Sequence, residues 1–131
     1  MISNQAVLLV TRFIEAFDAA DINAIQDYLA EDLVADVTQP DGSVATLVGR
    51  SSYVGAIEAM DLPAVRPSIK ATQIAPVADD QVLVMVEIKA ICKDHTLHNF
   101  AAFLMRVVEG SITRIWMVEA LPAESDRFWK R

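Results

Sequence analysis

The chain has 131 residues and a formal net charge of −7, with 53% apolar and 22% charged residues. That length fits one domain spanning residues 1–131, and the balance excludes wholesale disorder. The longest apolar run, Phe100 to Met105, has six residues, against about 20 for a membrane-spanning helix. One cysteine, Cys92, excludes an internal disulfide and a four-cysteine zinc site.

The acid excess is lopsided. Residues 1–65 hold ten acids and two bases, and residues 66–131 hold eight acids and nine bases. Neither half carries the basic excess with which a protein neutralises phosphates, so nucleic acid is not an expected partner. Met1 to Val10 has no basic region before its apolar stretch and no small-residue cleavage site. It reads as structure, and the expected address is the cytoplasm, which suits a lone reduced thiol.

Val7, Val10, Phe13, Ile14 and Phe17 recur at helical spacing and form one apolar stripe. Asp21 is placed to cap a second helix carrying Ile22, Ile25 and Leu29. Leu33 to Thr38 reads as a strand. Gln39-Pro40-Asp41-Gly42 is turn chemistry, and Val44 to Val48 is the return strand, broken by Gly49. Ser51 or Ser52 can cap a third helix that runs to Met60 and ends near Pro63.

The remainder changes character. Ser68–Ala75, Val82–Cys92, Leu97–Val108 and Ser111–Ala120 read as strands, with turns at Lys93-Asp94-His95-Thr96 and Glu109-Gly110. Pro122 starts a tail whose Phe128-Trp129 pair is too apolar to dangle, so it docks on its own domain or on a partner subunit. Helices followed by long antiparallel strands spell an α+β domain. A sheet curled around three N-terminal helices would enclose a cone. Both alternating sets of Val82–Cys92 are apolar, Leu83 and Met85 against Val84, Val86 and Ile88. The outer sheet face is therefore expected to meet a second copy in a homodimer.

Five stretches carry a family resemblance: Thr11-Arg12-Phe13-Ile14-Glu15-Ala16-Phe17, Ala20-Asp21-Ile22, Leu29-Ala30-Glu31-Asp32-Leu33, Gly49-Arg50, and Val108-Glu109-Gly110-Ser111-Ile112. Together they resemble the nuclear transport factor 2-like superfamily, in its SnoaL-like polyketide cyclase and ketosteroid isomerase branch, over roughly residues 5–120. The resemblance implies a cone-shaped α+β fold with a pocket at its open end, and members that are isomerases, dehydratases, epoxide hydrolases, cyclases or non-catalytic modules. Fold alone does not choose among them.

The chemistry of those relatives is mostly unmatched. Where a ketosteroid isomerase carries its helix tyrosine, aspartate base and protonated aspartate, the chain has Phe13, Val37 and Phe103. Asp36 is one residue from the base position. Arg106 has Leu104 and Val108 two residues away, not the aspartate of limonene-type epoxide hydrolases. His95 and His98 with Tyr28 and Tyr53 are the only material for scytalone dehydratase-like chemistry.

Glu119 is the leading catalytic candidate. It alternates onto one face with Ile115 and Met117, and the resemblance puts that face inside the cone. A carboxylate at an apolar rim can serve as general acid or base. His98 and Asp36 are the further catalytic candidates. Phe13, Phe17, Tyr28, Phe103, Met105 and Met117 are mainly core, some of them lining the cavity and shaping it for a ligand. Cys92, His95 and His98 are ligand types at a spacing too weak for a metal site, and neither metal nor cofactor is expected. The expected ligand is a small apolar or polycyclic molecule. Two functions stay open: proton transfer in an isomerisation, cyclisation or dehydration, or a non-catalytic ligand-binding or dimeric scaffold module.

Overall fold

In the computed structural model, which describes residues 4–130, the helical spacing of the first segment builds α1 (Asn4–Asp18). Its Val10, Phe13, Ile14 and Phe17 are buried. Asp21 caps α2 (Ile22–Asp27) by accepting a hydrogen bond from the Ala24 amide at 3.1 Å. Leu29, expected to extend that helical stripe, instead opens β1 (Leu29–Thr38). The turn at Gln39 to Gly42 is closed by a bond from the Gly42 amide to the Gln39 carbonyl, with Gly42 at φ +87°. The chain then returns as β2 (Val44–Val48).

The third helix starts earlier than the serines suggest. α3 (Arg50–Glu58) has Gly49 at its cap position, with φ +92° and no capping side chain. The Gly49 amide donates to the Leu33 carbonyl at 2.6 Å, which ties the helix start to β1. A side chain at Gly49 would oppose that φ, so the glycine sets the boundary and not Ser51 or Ser52. Pro63 does not end α3. It sits in the first turn of a separate short helix, α4 (Leu62–Val65), where a missing amide proton is harmless.

Four strands follow: β3 (Ser68–Ala78), β4 (Gln81–Cys92), β5 (His95–Val108) and β6 (Ser111–Glu119). Glu109 and Gly110, at φ +51° and +81°, make the tight turn between the last two. The sheet order is β2-β1-β6-β5-β4-β3. Its neighbours are antiparallel except β1 and β6, which run parallel. The helices lie on the concave side. Their apolar faces meet Leu33, Ala35, Val82, Val84, Met105, Ile112 and Ile115, all buried. Each of these side chains except Ala35 contributes about 1.5–3 kcal/mol relative to exposure.

The stretch expected to be a tail is a helix, α5 (Pro122–Trp129). Proline suits its first turn, with Glu124 early and Arg127 late to complement the helix dipole. Phe128 is buried against Val65, Ala90 and Leu97, so α5 docks on its own domain.

Candidate functional site

Strand parity decides which side chains reach the interior. Along β6, Ile115, Met117 and Glu119 point inward, while Arg114, Trp116 and Val118 point outward. Along β5 the inward set is Leu97, Asn99, Ala101, Phe103 and Met105. The register pairs Ala101 with Glu119 across the two strands. A large side chain at that position would cover the carboxyl, and alanine leaves it open.

Between this wall and the helices lies a cavity of about 430 Å³. Phe17, Tyr53, Ile57 and Met60 border it from the helices; Val86, Ile88, Phe103 and Met117 border it from the sheet. Pro122, Ser125, Asp126 and Trp129 of α5 and the Thr38–Pro40 turn complete the lining. The volume suits a small organic molecule, and the lining is mostly apolar.

Glu119 lies in that wall, held by two neutral donors. The Asn99 amide nitrogen donates to Oε2 at 3.3 Å, and the Ser125 hydroxyl donates to Oε1 at 3.4 Å. Burial pushes the Glu119 carboxyl above its ordinary value, against the opposing pull of the hydrogen bonds from Ser125 and Asn99. No ion pair to Glu119 occurs among the described residues. Such a carboxyl can be protonated or ionised closer to neutral pH than an exposed one.

Asn99 itself is fully buried. Its amide nitrogen also donates to the Leu121 carbonyl at 3.2 Å. Its oxygen accepts from the amides of Phe100 at 2.8 Å and Leu121 at 3.0 Å. One side chain therefore ties β5 to the start of α5 and to Glu119. Tyr53, on α3, is 6% exposed, and burial holds its hydroxyl protonated. Tyr53 lines the cavity, and its hydroxyl has no hydrogen-bond partner among the described residues.

Asp36 and His98 do not join Glu119, and the reason is parity. Val37 lines the cavity, so Asp36 points outward. There it pairs with Arg114 and accepts from the Thr46 hydroxyl at 2.6 Å. The irregularity in the β1–β6 register falls between Leu29 and Val34, before Asp36, and does not turn it inward. Arg114, which could have neutralised Glu119, is thereby engaged on the other face, 4.7 Å from the Trp116 ring. Trp116 belongs to that outer face. His98 is exposed, its Nε2 2.6 Å from Glu87 Oε2. His95 and His98, three apart on one strand, point to opposite faces, and no metal-binding cluster occurs among the described residues.

Of the apolar candidates, Phe17, Phe103 and Met117 line the cavity. Phe13 and Met105 are fully buried in the core beneath it, and Tyr28 packs against that core without reaching the cavity. The sequence reading missed Asn99, Ser125 and the cavity role of Tyr53. It did expect Phe128-Trp129 to dock, and Trp129 lines the cavity.

A family model for the SnoaL-like domain matches residues 10–115. The chain belongs to that family. Its structure is similar to an M. tuberculosis LEH-like epoxide hydrolase at TM-score 0.75 and 17% identity, covering 95% of this chain and 89% of that one. It is similar to a protein described as a SnoaL-like polyketide cyclase from Jannaschia sp. CCS1 at TM-score 0.77 and 13% identity, covering 93% and 90%. Bal32a, from a soil-derived mobile gene cassette, gives TM-score 0.79 and 16% identity over 95% and 96%. These likenesses show the nuclear transport factor 2-like cone fold. No curated protein matches the sequence. Among the described residues, no helix is long and apolar enough to cross a membrane.

Proposed function

We propose that this SnoaL-like protein binds a small apolar molecule in the cone and that Glu119 moves a proton beside a carbonyl group. One observation carries the reading: a carboxyl in an apolar cavity wall, bonded to Asn99 and Ser125 and unpaired with any described cation. The ionised carboxyl would take a proton from the carbon next to the carbonyl. The electron pair would move to the carbonyl oxygen, where the protonated Tyr53 hydroxyl is the donor we assign. Return of the proton to another carbon of the conjugated system gives isomerisation; attack of the enolate carbon on a second carbonyl carbon, whose oxygen then takes the proton, gives ring closure; expulsion of a β-hydroxyl, protonated as its C–O bond breaks, gives loss of water.

Deuterium exchange tests this without a known substrate. Rigid polycyclic ketones, incubated with the protein in D₂O, are expected to gain deuterium beside the carbonyl. Glu119→Gln should slow that exchange by about 10²–10⁴-fold, the usual worth of a positioned base. Equal exchange with the Gln variant removes the role. The second reading, a binding module without catalysis, draws on the outward position of Asp36, which leaves Glu119 as the only acid of the three candidates at the cavity.

We further propose a homodimer through the outer sheet face. Met85, Phe100 and Val118 are exposed there, beside Leu83, Leu104 and Trp116. Sedimentation should give a dimer for the parent and a monomer for Met85→Lys combined with Val118→Lys. A parent that sediments as a monomer rejects this interface. A single thiol, Cys92, suits a reducing compartment, and we place the activity in the cytoplasm.

A further inference from the structure

We propose that the cavity selects its ligand by charge, accepting neutral and ammonium-bearing apolar molecules and rejecting carboxylates and phosphates of the same skeleton. This rests on the cavity being the ligand site. The charged side chains in its lining are both acidic, Glu119 and Asp126. Asp126 is offset by Lys130, whose Nζ lies 2.9 Å from its Oδ1. Glu119 has only the neutral donors Asn99 and Ser125. Among the described residues, no Lys, Arg or His lines the cavity.

Cations outside the lining are committed to other acids. Arg114 faces outward with Asp36, Arg106 lies against Asp80, and Lys70 holds Asp18 at 2.5 Å. A ligand anion entering the cone would therefore leave water and find a second acid instead of a counter-ion. Burying an uncompensated charge is strongly unfavourable. A neutral ketone carries no such cost. An ammonium group donates a charge-assisted hydrogen bond to the ionised Glu119, and the rings of Phe17, Phe103 and Tyr53 give its apolar part a surface. The same pairing would occupy the base, so an amine of the right shape acts as an inhibitor of proton transfer.

Three probes of one skeleton test this: 2-acetylnaphthalene, 2-naphthoic acid and 2-naphthylmethylamine. Their dissociation constants would be measured at pH 7 by calorimetry, with amide shifts around Glu119 and Ala101 locating each probe. The ketone and the amine should bind in the cavity, and the acid at least about tenfold more weakly, equivalent to 1.4 kcal/mol. In Glu119→Gln the amine should lose its advantage over the ketone, and the gap between ketone and acid should narrow. An acid that binds in the cavity as tightly as the ketone overturns charge selection while leaving the site in place. If none of the three shifts the cavity amides, the cone is not the ligand site, and both this inference and the proposed function fall.

Discussion

Asn99→Leu is the most informative single change, because it keeps side-chain volume while deleting four hydrogen bonds. Near-equal volume removes the cavity penalty from the result. Three backbone groups lose their side-chain partner: the Phe100 amide and both polar groups of Leu121. A buried group left unpaired costs about 1–3 kcal/mol. Leu121 is 46% exposed, so water replaces part of its loss. The net cost expected is about 2–4 kcal/mol, against a whole-domain stability of about 5–15 kcal/mol. The melting temperature should fall by roughly 8–16 °C, measured by scanning calorimetry. Two local readouts separate this tie from general weakening. The α5 amides of Ser125 and Lys130, bonded to the Leu121 and Asp126 carbonyls, should lose exchange protection before the central strands do. The Glu119 carboxyl, followed by carbon NMR, should titrate at higher pH, because one donor to its ionised form is gone. A loss below about 0.5 kcal/mol with α5 protection unchanged would refute the assignment of Asn99 as the tie.

Glu119→Gln tests the raised carboxyl through stability. The folded state holds this proton to higher pH than the unfolded chain, so the group's contribution is present at acid pH and is lost as pH rises through the folded value. The Gln variant should melt above the parent at pH 8 and converge with it below pH 4; a gap that widens toward acid would contradict the burial argument. Phe13→Ala, in the core edge-to-face on Phe17, should cost about 3–5 kcal/mol in denaturant unfolding, and Phe103→Ala, in the cavity wall, clearly less. Phe103→Ala alone should also change the affinity for 2-acetylnaphthalene beyond its effect on stability. Asp36→Asn removes an outward, half-buried pair with Arg114 and should cost about 1 kcal/mol in thermal unfolding, with affinity for the same probe unchanged.

The sequence was most legible where periodicity met strong turn chemistry. Val44–Val48 was read to its boundaries because Gly42 and Gly49 punctuate it on both sides. Parity over an unbroken strand puts Glu119 on one face with Ile115 and Met117, and the family resemblance implies that this face is the inner one. Asp36 and His98 were harder because each depends on a one-residue choice of register, and one residue exchanges pocket for surface. Asn99 left a readable signal: it stands at the inward parity of Leu97 and Ala101, where a polar residue must be fully bonded. Ser125 was missed with the helix that carries it. Pro122 followed by Glu124, with Arg127 late, is a helix pattern that composition alone hides in an eight-residue segment.

The placement of small and large inward residues explains why the cone is closed at one end and open at the other. Near the core, Met105 faces Ile115 in register, and Phe13 and Leu33 fill the remaining space. Toward the mouth, Ala101 faces Glu119. That exchange of a bulky pair for a small residue and an acid leaves a volume that no apolar side chain fills. The loss of packing there lowers stability, and so does the desolvated carboxyl. α5 offsets part of both costs. Phe128 anchors it outside the cavity, while Ser125 and Trp129 reach the cavity from the same helix. Asn99 bonds Leu121 and Glu119 with one amide nitrogen, so a single side chain links the start of α5 to the hydrogen bonding of the acid. Of the two donors to Glu119, only Ser125 comes from α5; without it the ionised carboxylate would be less favourable.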